Sequence, residues 1–181
     1  PIDIEWSLPC EEGQVGERCT VTPQDEGPFT IGVTVMDDDG DTAEDSLTIE
    51  VTNIAPSDPR AEVWFAGNRM VPQILGENAR YIVNEGEVLS MRGFADDSPN
   101  DLGSLEHHWS PDAEQKPDLI LSSVGHQSEI QHIYETSGQH LATLLVVDDD
   151  GASTETLIIQ FVVHNIVPSI LPVSNPLPVA E

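Results

Sequence analysis

Apolar residues in this chain come in strand-length bursts, and in most bursts they alternate with polar ones. Residues 30–36, 46–52, 87–92, 140–147 and 157–164 follow this rule and are rich in β-branched side chains. In the stretch 46–52, Leu47, Ile49 and Val51 fall on one side, and Thr48, Glu50 and Thr52 on the other. That is a strand with one buried face. No stretch carries a helical period. Short strands bounded by turn signals predict an all-β chain built as a sandwich.

The pattern also repeats. Residues 27–56 read GPFTIGVTVMDDDGDTAEDSLTIEVTNIAP, and residues 138–168 read GQHLATLLVVDDDGASTETLIIQFVVHNIVP. The shared frame is glycine, an alternating strand, Asp-Asp-Asp-Gly, a second strand and Asn-Ile-x-Pro. Asp37 matches Asp148, Gly40 matches Gly151, Asn53 matches Asn165 and Pro56 matches Pro168. A period of about 111 residues is the size of a domain, too long for a solenoid unit. Upstream, Ile2-x-Ile4-x-Trp6-Ser7 matches Leu105-x-His107-x-Trp109-Ser110. The expected organisation is the C-terminal part of a first domain over 1–56 and a complete second domain over 57–168. A linker, or the start of a further domain, follows over 169–181, where Pro172, Pro176 and Pro178 cluster.

Charge narrows the partners. The chain has 33 Asp plus Glu against 6 Lys plus Arg, a formal net charge of -27. Such a surface repels nucleic acid and anionic membranes and attracts cations. Two explanations for the acidity stand side by side. One is hydration and solubility in high salt; the other is a store of calcium ligands. No segment reaches the roughly 18 apolar residues of a membrane helix. The two cysteines, Cys10 and Cys19, flank a loop rich in Gly and Glu. They read as a local disulfide made in an oxidising compartment, with two reduced thiols as the alternative.

In this order the motifs resemble the PKD (polycystic kidney disease) domain. Both copies carry the strand, Asp-x-x-Gly, strand and Asn-x-x-Pro pattern. The stretch Asn84 to Asp101 is similar to that family's early strand and acidic loop, and His132 to His140 to the lead-in to its hairpin. The resemblance implies tandem Ig-like (PKD-type) β-sandwich domains in secreted or surface proteins, used as spacers or adhesion modules. It also implies a calcium site at the joint between domains, drawing on the linker and the early acidic loop: Asn53, Asp96 and Asp97 by match. The family's Trp-Asp-Phe-Gly-Asp-Gly motif is not kept, since Trp6 is followed by Ser-Leu-Pro and Trp109 by Ser-Pro-Asp.

The residues themselves offer two sets of candidate metal ligands. Asn53, Glu85, Asp96, Asp97 and Asp101 come from separated segments expected to meet at the end facing the preceding copy. Asp37, Asp39, Asp41, Asp148 and Asp150 lie in the two Asp-Asp-Asp-Gly loops. A hard dication seeking six to eight oxygens would relieve the crowding of these carboxylates. Equally, Asp before Gly is simple hairpin-turn chemistry. His107 and His108 are adjacent and face opposite ways. His132 and His140 are placed to approach across strands, as hydrogen-bonded side chains sooner than as a zinc site. Trp6 and Trp109 are expected in sandwich cores, and Trp64 is a candidate exposed aromatic for a sugar ring. No nucleophile elbow, His-Glu-x-x-His or phosphate loop is present, which points away from an enzyme. The expected role is an extracellular, cell-surface spacer or assembly module, with neighbouring domains and identical subunits as partners. The alternative is an accessory polysaccharide- or protein-binding module of a secreted hydrolase or adhesin.

Overall fold

The computed structural model describes residues 2–11, 16–23 and 25–169. Its strands are β1 (Asp3–Trp6), β2 (Gly27–Met36), β3 (Thr42–Val51), β4 (Ser57–Phe65), β5 (Asn68–Arg69), β6 (Gln73–Leu75) and β7 (Asn78–Asn84). Then come β8 (Val88–Asp96), β9 (Glu106–Ser110), β10 (Leu121–Val124), β11 (Gln127–Ile133), β12 (Gly138–Val147) and β13 (Leu157–His164). The only helical turn among the described residues is a 3-10 turn at Asp101–Gly103. The proline-rich stretch from 170 onward lies outside the described residues.

Residues 57–164 form the sandwich. A six-stranded sheet in the order β10-β9-β12-β13-β7-β6 faces a four-stranded sheet in the order β11-β8-β4-β5. Neighbours are antiparallel except β7 and β13, which run parallel from Gln160↔Arg80 to His164↔Asn84. The alternating pattern does the sorting. On β12, Ala142, Leu144 and Val146 are buried, and on β8, Leu89, Met91 and Ala95 are buried, while their neighbours turn outward. Trp109 from β9 and Phe161 from β13 complete the core.

Gly93 shows how closely the two sheets meet. It sits on β8 between Met91 and Ala95, on the inward face. A Cβ placed there would lie 2.7 Å from Ser128 Oγ and 2.8 Å from both Trp109 Cζ2 and Leu144 Cδ2. The indole fits only because position 93 has no side chain. Its Nε1 donates to Ser128 Oγ at 2.9 Å, so the one polar atom of the ring is satisfied within the core.

The 3–51 portion is a separate three-stranded sheet, β1-β2-β3. The registers Ile4↔Val35, Phe29↔Ile49 and Ile31↔Leu47 line up an apolar face, yet Leu47 is 62% exposed. The expectation that Trp6 fills a core is corrected here. Trp6 is half-buried, its Nε1 donating to Gly16 O at 3.1 Å, because no second sheet covers this face among the described residues. Cys10 and Cys19 form the expected disulfide.

Candidate functional site

Residues 52–57 connect the three-stranded sheet to the sandwich, and acidic side chains gather there. The hairpin loops are built by local chemistry. Asp37 Oδ1 accepts from the backbone amides of Asp39 and Asp41 at 3.0 and 2.9 Å. Gly40, at φ 90°, closes the turn by donating to Asp37 O. Asp148 repeats the device, its Oδ1 accepting from Ala152 N at 2.7 Å. Asp37 and Asp148 are therefore turn caps, and Asp39, Asp41 and Asp150 belong to the same turns. Asp148 keeps a second oxygen for the joint, where its Oδ2 accepts from Asn53 Nδ2 at 2.8 Å.

Asp97 lies beside this contact. Its Oδ1 accepts from Ser98 N at 2.7 Å, while its Oδ2 is buried without a hydrogen-bond partner. Burial first, then repulsion from Asp101, Asp148 and Asp149, holds its carboxyl above the usual carboxylate range. Asp101 accepts from Ser98 Oγ at 2.7 Å. On the side of the three-stranded sheet, Glu26 is pushed up to about 7, mainly by its contact with Asp25 and further by Asp150. A cleft of about 160 Å³ separates Pro23, Glu26 and Asn53 from Ser98 and Asp101.

The expected ligand set thus divides. Asn53, Asp97 and Asp101 converge at the joint. Asp96 is close by, but its two oxygens take the Arg60 guanidinium at 2.9 and 2.6 Å. Arg60 also pairs with Asp58. The Arg60 contact holds the Asp96 carboxyl below the ordinary range. Glu85 is not at this end. It follows β7, whose last pairs lie beside the end of β13, and its Oε1 accepts from Ile166 N at 3.0 Å. Ser57 and Asp96 pair at the opposite end of β8. The sequence placed Glu85 near Asp96, but β8 runs the length of the sandwich between them. Among the described residues no three His, Cys, Asp or Glu side chains are grouped so as to hold a metal ion as they stand. The five-residue set does not form a cage.

Trp64 does not offer a free ring. The Arg92 guanidinium lies 4.5 Å from its centroid, and its Nε1 donates to Glu62 Oε2 at 3.1 Å. Arg92 is held in turn by Glu129 at 3.0 Å. This cation–π stack covers one face of the ring on which a sugar would stack.

The histidines serve the fold. His140 Nδ1 bonds the buried Asp112 Oδ1 at 2.9 Å, and its Nε2 bonds Thr136 O nearer the surface, also at 2.9 Å. His132 and His140 each pack against the ring of Tyr134, at centroid distances of 4.7 Å. The Tyr134 hydroxyl donates to Pro111 O at 2.8 Å. Sequence reasoning missed this tyrosine, although an aromatic followed by Glu-Thr-Ser-Gly before a strand was the available signal. His107 is fully buried, and neither ring nitrogen is hydrogen-bonded. The backbone of Leu105 and Ser123 flanks the ring without a well-formed bond, so burial dominates and holds its pKa below the ordinary histidine value. No helix of the described residues is long and apolar enough to cross a membrane.

No protein-family model matches the chain, and no curated protein matches it by sequence. Among solved structures it is similar to the PKD domain of an M14-like peptidase from Thermoplasmatales archaeon SCGC AB-540-F20. That likeness has 12% identity and a TM-score of 0.43, over 62% of this chain and 98% of the other. It is also similar to fibronectin(III)-like modules of Clostridium thermocellum CbhA, at 16% identity and TM-score 0.38, over 77% of this chain and 64% of that one. A third is the Bacteroides ovatus mixed-linkage glucan utilization locus protein SGBP-B, solved in complex with a mixed-linkage heptasaccharide. It has 10% identity and a TM-score of 0.24, over 91% of this chain and 61% of that one. The chain's own strand order, two facing sheets around Trp109 with a parallel β7–β13 pair, is that of an Ig-like β-sandwich.

Proposed function

We propose that this chain is a non-catalytic spacer of a secreted or cell-surface protein, built from tandem copies whose joint responds to cations. The observation that carries the reading is the joint itself. The second repeat's turn-capping Asp148 reaches back to Asn53 of the linker, and Asp97 waits beside it with one buried, unpartnered oxygen. An acidic loop that served only as a turn would have no need to engage the linker. The carboxylates that raise the Asp97 pKa, those of Asp101, Asp148 and Asp149, come from two different loops. A divalent cation such as calcium would draw these loops together and stiffen the joint; it would have to close the site, since no cage stands ready. The disulfide between Cys10 and Cys19 supports an oxidising, extracellular setting. The -27 charge supports a cation-rich or saline one. The accessory carbohydrate-binding reading is weakened by the arginine stacked on Trp64.

The test is a thermal melt in high sodium chloride, with calcium and then with excess chelator. Calcium is expected to raise the melting temperature while sodium is already saturating, and Asp97→Asn is expected to abolish the rise. An unchanged melt at millimolar calcium sinks the cation-responsive joint and leaves the acidity as adaptation to salt.

A further inference from the structure

The six-stranded sheet is wider than the four-stranded sheet that covers it, and the overhang is apolar. β4 is the last long strand of the covering sheet, because β5 pairs only with its final two residues, Trp64 and Phe65. Beyond β4 the inner face of the larger sheet continues through Ile159 of β13 and Ala79 and Tyr81 of β7. With Ala61 of β4 as a wall, these residues line a groove of about 430 Å³. Ile74 of β6 is paired with Ala79, so it continues that face one strand further out. It is 73% exposed, and nearby Val71 is 83% exposed.

The edge of this sheet is also open. β6 pairs with β7 on one side only. Its residues, Gln73, Ile74 and Leu75, include no charge to blunt the edge.

Charge singles out the same place. The chain has six basic residues in all, and two of them, Arg60 and Arg69, line the groove. Arg60 answers Asp58 and Asp96, and Arg69 answers Glu62. Two arginines against the three carboxylates they pair with leave the ledge close to balance, on a chain of net charge -27. An apolar, nearly neutral, edge-exposing strip on so acidic a molecule is where two copies approach at low electrostatic cost.

We infer that this ledge is a self-association surface. β6 of one copy pairs antiparallel with β6 of a second across a two-fold axis. The two overhangs then merge into one apolar strip in which Ile74 of each copy is covered by the other. This inference is independent of the cation-responsive joint, which lies on the linker.

The experiment is sedimentation velocity on the full chain in molar sodium chloride, where the screening length falls to about 3 Å. The wild type is expected to show a species of twice its 19.7 kDa mass. Ile74→Asp is expected to weaken the dimer at least about tenfold, since a charge would be buried in the strip. Its melt should equal that of the wild type at concentrations where both are monomeric, because Ile74 is exposed in the single copy; Val71→Asp is the second variant. Leu47→Asp, on the open face of the three-stranded sheet, should leave the dimer intact. Several outcomes overturn the inference. They are a wild-type monomer at every salt concentration, which would leave the ledge to a foreign partner; a dimer that survives both ledge variants; loss of the dimer in Leu47→Asp alone; and a dimer that chelator dissolves.

Discussion

Replacing Gly93 by alanine tests the sandwich at its tightest point. The added methyl would sit 2.7 to 2.8 Å from Ser128 Oγ, Leu144 Cδ2 and Trp109 Cζ2. Ordinary carbon contacts are about 3.5–4.0 Å, so each neighbour must retreat by roughly 1 Å. None can do so freely. Trp109 and Leu144 have no exposed surface, and Ser128 is fixed by accepting the indole N–H. Overpacking of this kind typically costs about 1–3 kcal/mol. Alanine would return about 0.5 kcal/mol by restricting the unfolded chain. Displacing Ser128 would strand the buried indole donor, at about 1–3 kcal/mol. The net expectation is a loss of about 2–3 kcal/mol, a fall of roughly 10 °C in melting temperature for a domain of this size. Urea denaturation followed by circular dichroism, with calorimetry alongside, reads it. Gly103→Ala is the control, since a Cβ there meets nothing within 4 Å, and it should be near neutral. A Gly93→Ala protein as stable as wild type would show that the two sheets do not meet at Trp109 as described.

Two further substitutions probe buried polar groups. His107 is held below its ordinary pKa of 6.5 by burial, so below about 6.5 the unfolded chain takes up a proton that the folded chain refuses. Its contribution to stability therefore falls as pH drops through that value. His132, lowered by the same cause, acts in the same direction. Asp97, raised above 3.8, acts in the opposite direction at lower pH. His107→Leu is expected to match or exceed wild-type stability at pH 7, because it removes two unsatisfied nitrogens, and to flatten the decline between pH 7 and pH 5. Melts at the two pH values check this, and an unaltered decline refutes it. Tyr134→Phe removes the hydroxyl that donates to Pro111 O and should cost about 1–2 kcal/mol in urea denaturation; a neutral change would mean that the carbonyl is satisfied elsewhere.

What could be read from the sequence was what local pattern determines. The strands around 30–36, 140–147 and 157–164 appear as β2, β12 and β13, and in β12 and β13 alternation fixes which face is buried. The turn role of Asp37 and Asp148 was legible because a side chain capping its own turn is a short-range event. The disulfide was legible for the same reason. What escaped depends on contacts far apart in the chain. Asp112 and His140 are 28 residues apart, and nothing near either announces the other. Arg92 covers Trp64 only because β4 and β8 pair in one register. Glu85 was misplaced because it precedes the start of β8 while Asp96 closes that strand, and the pattern over 87–92 does not show how far the strand runs. Trp6 shares its motif with Trp109, yet a motif does not supply the opposing sheet.

The parallel pairing of β7 with β13 also decides how the sandwich bears tension. The chain enters at Ser57, beside Asp96, and leaves at His164, beside Asn84, so entry and exit lie at opposite ends of the strands. A pull applied between them runs along the strands. It drags β13 one way while β4, which begins at the entry, is drawn the other, so β13 is loaded along its length against β7 and β12. The five registered pairs from Gln160↔Arg80 to His164↔Asn84 are then loaded in shear and must yield together. In a hairpin pulled from its open end, the pairs would instead peel apart one by one.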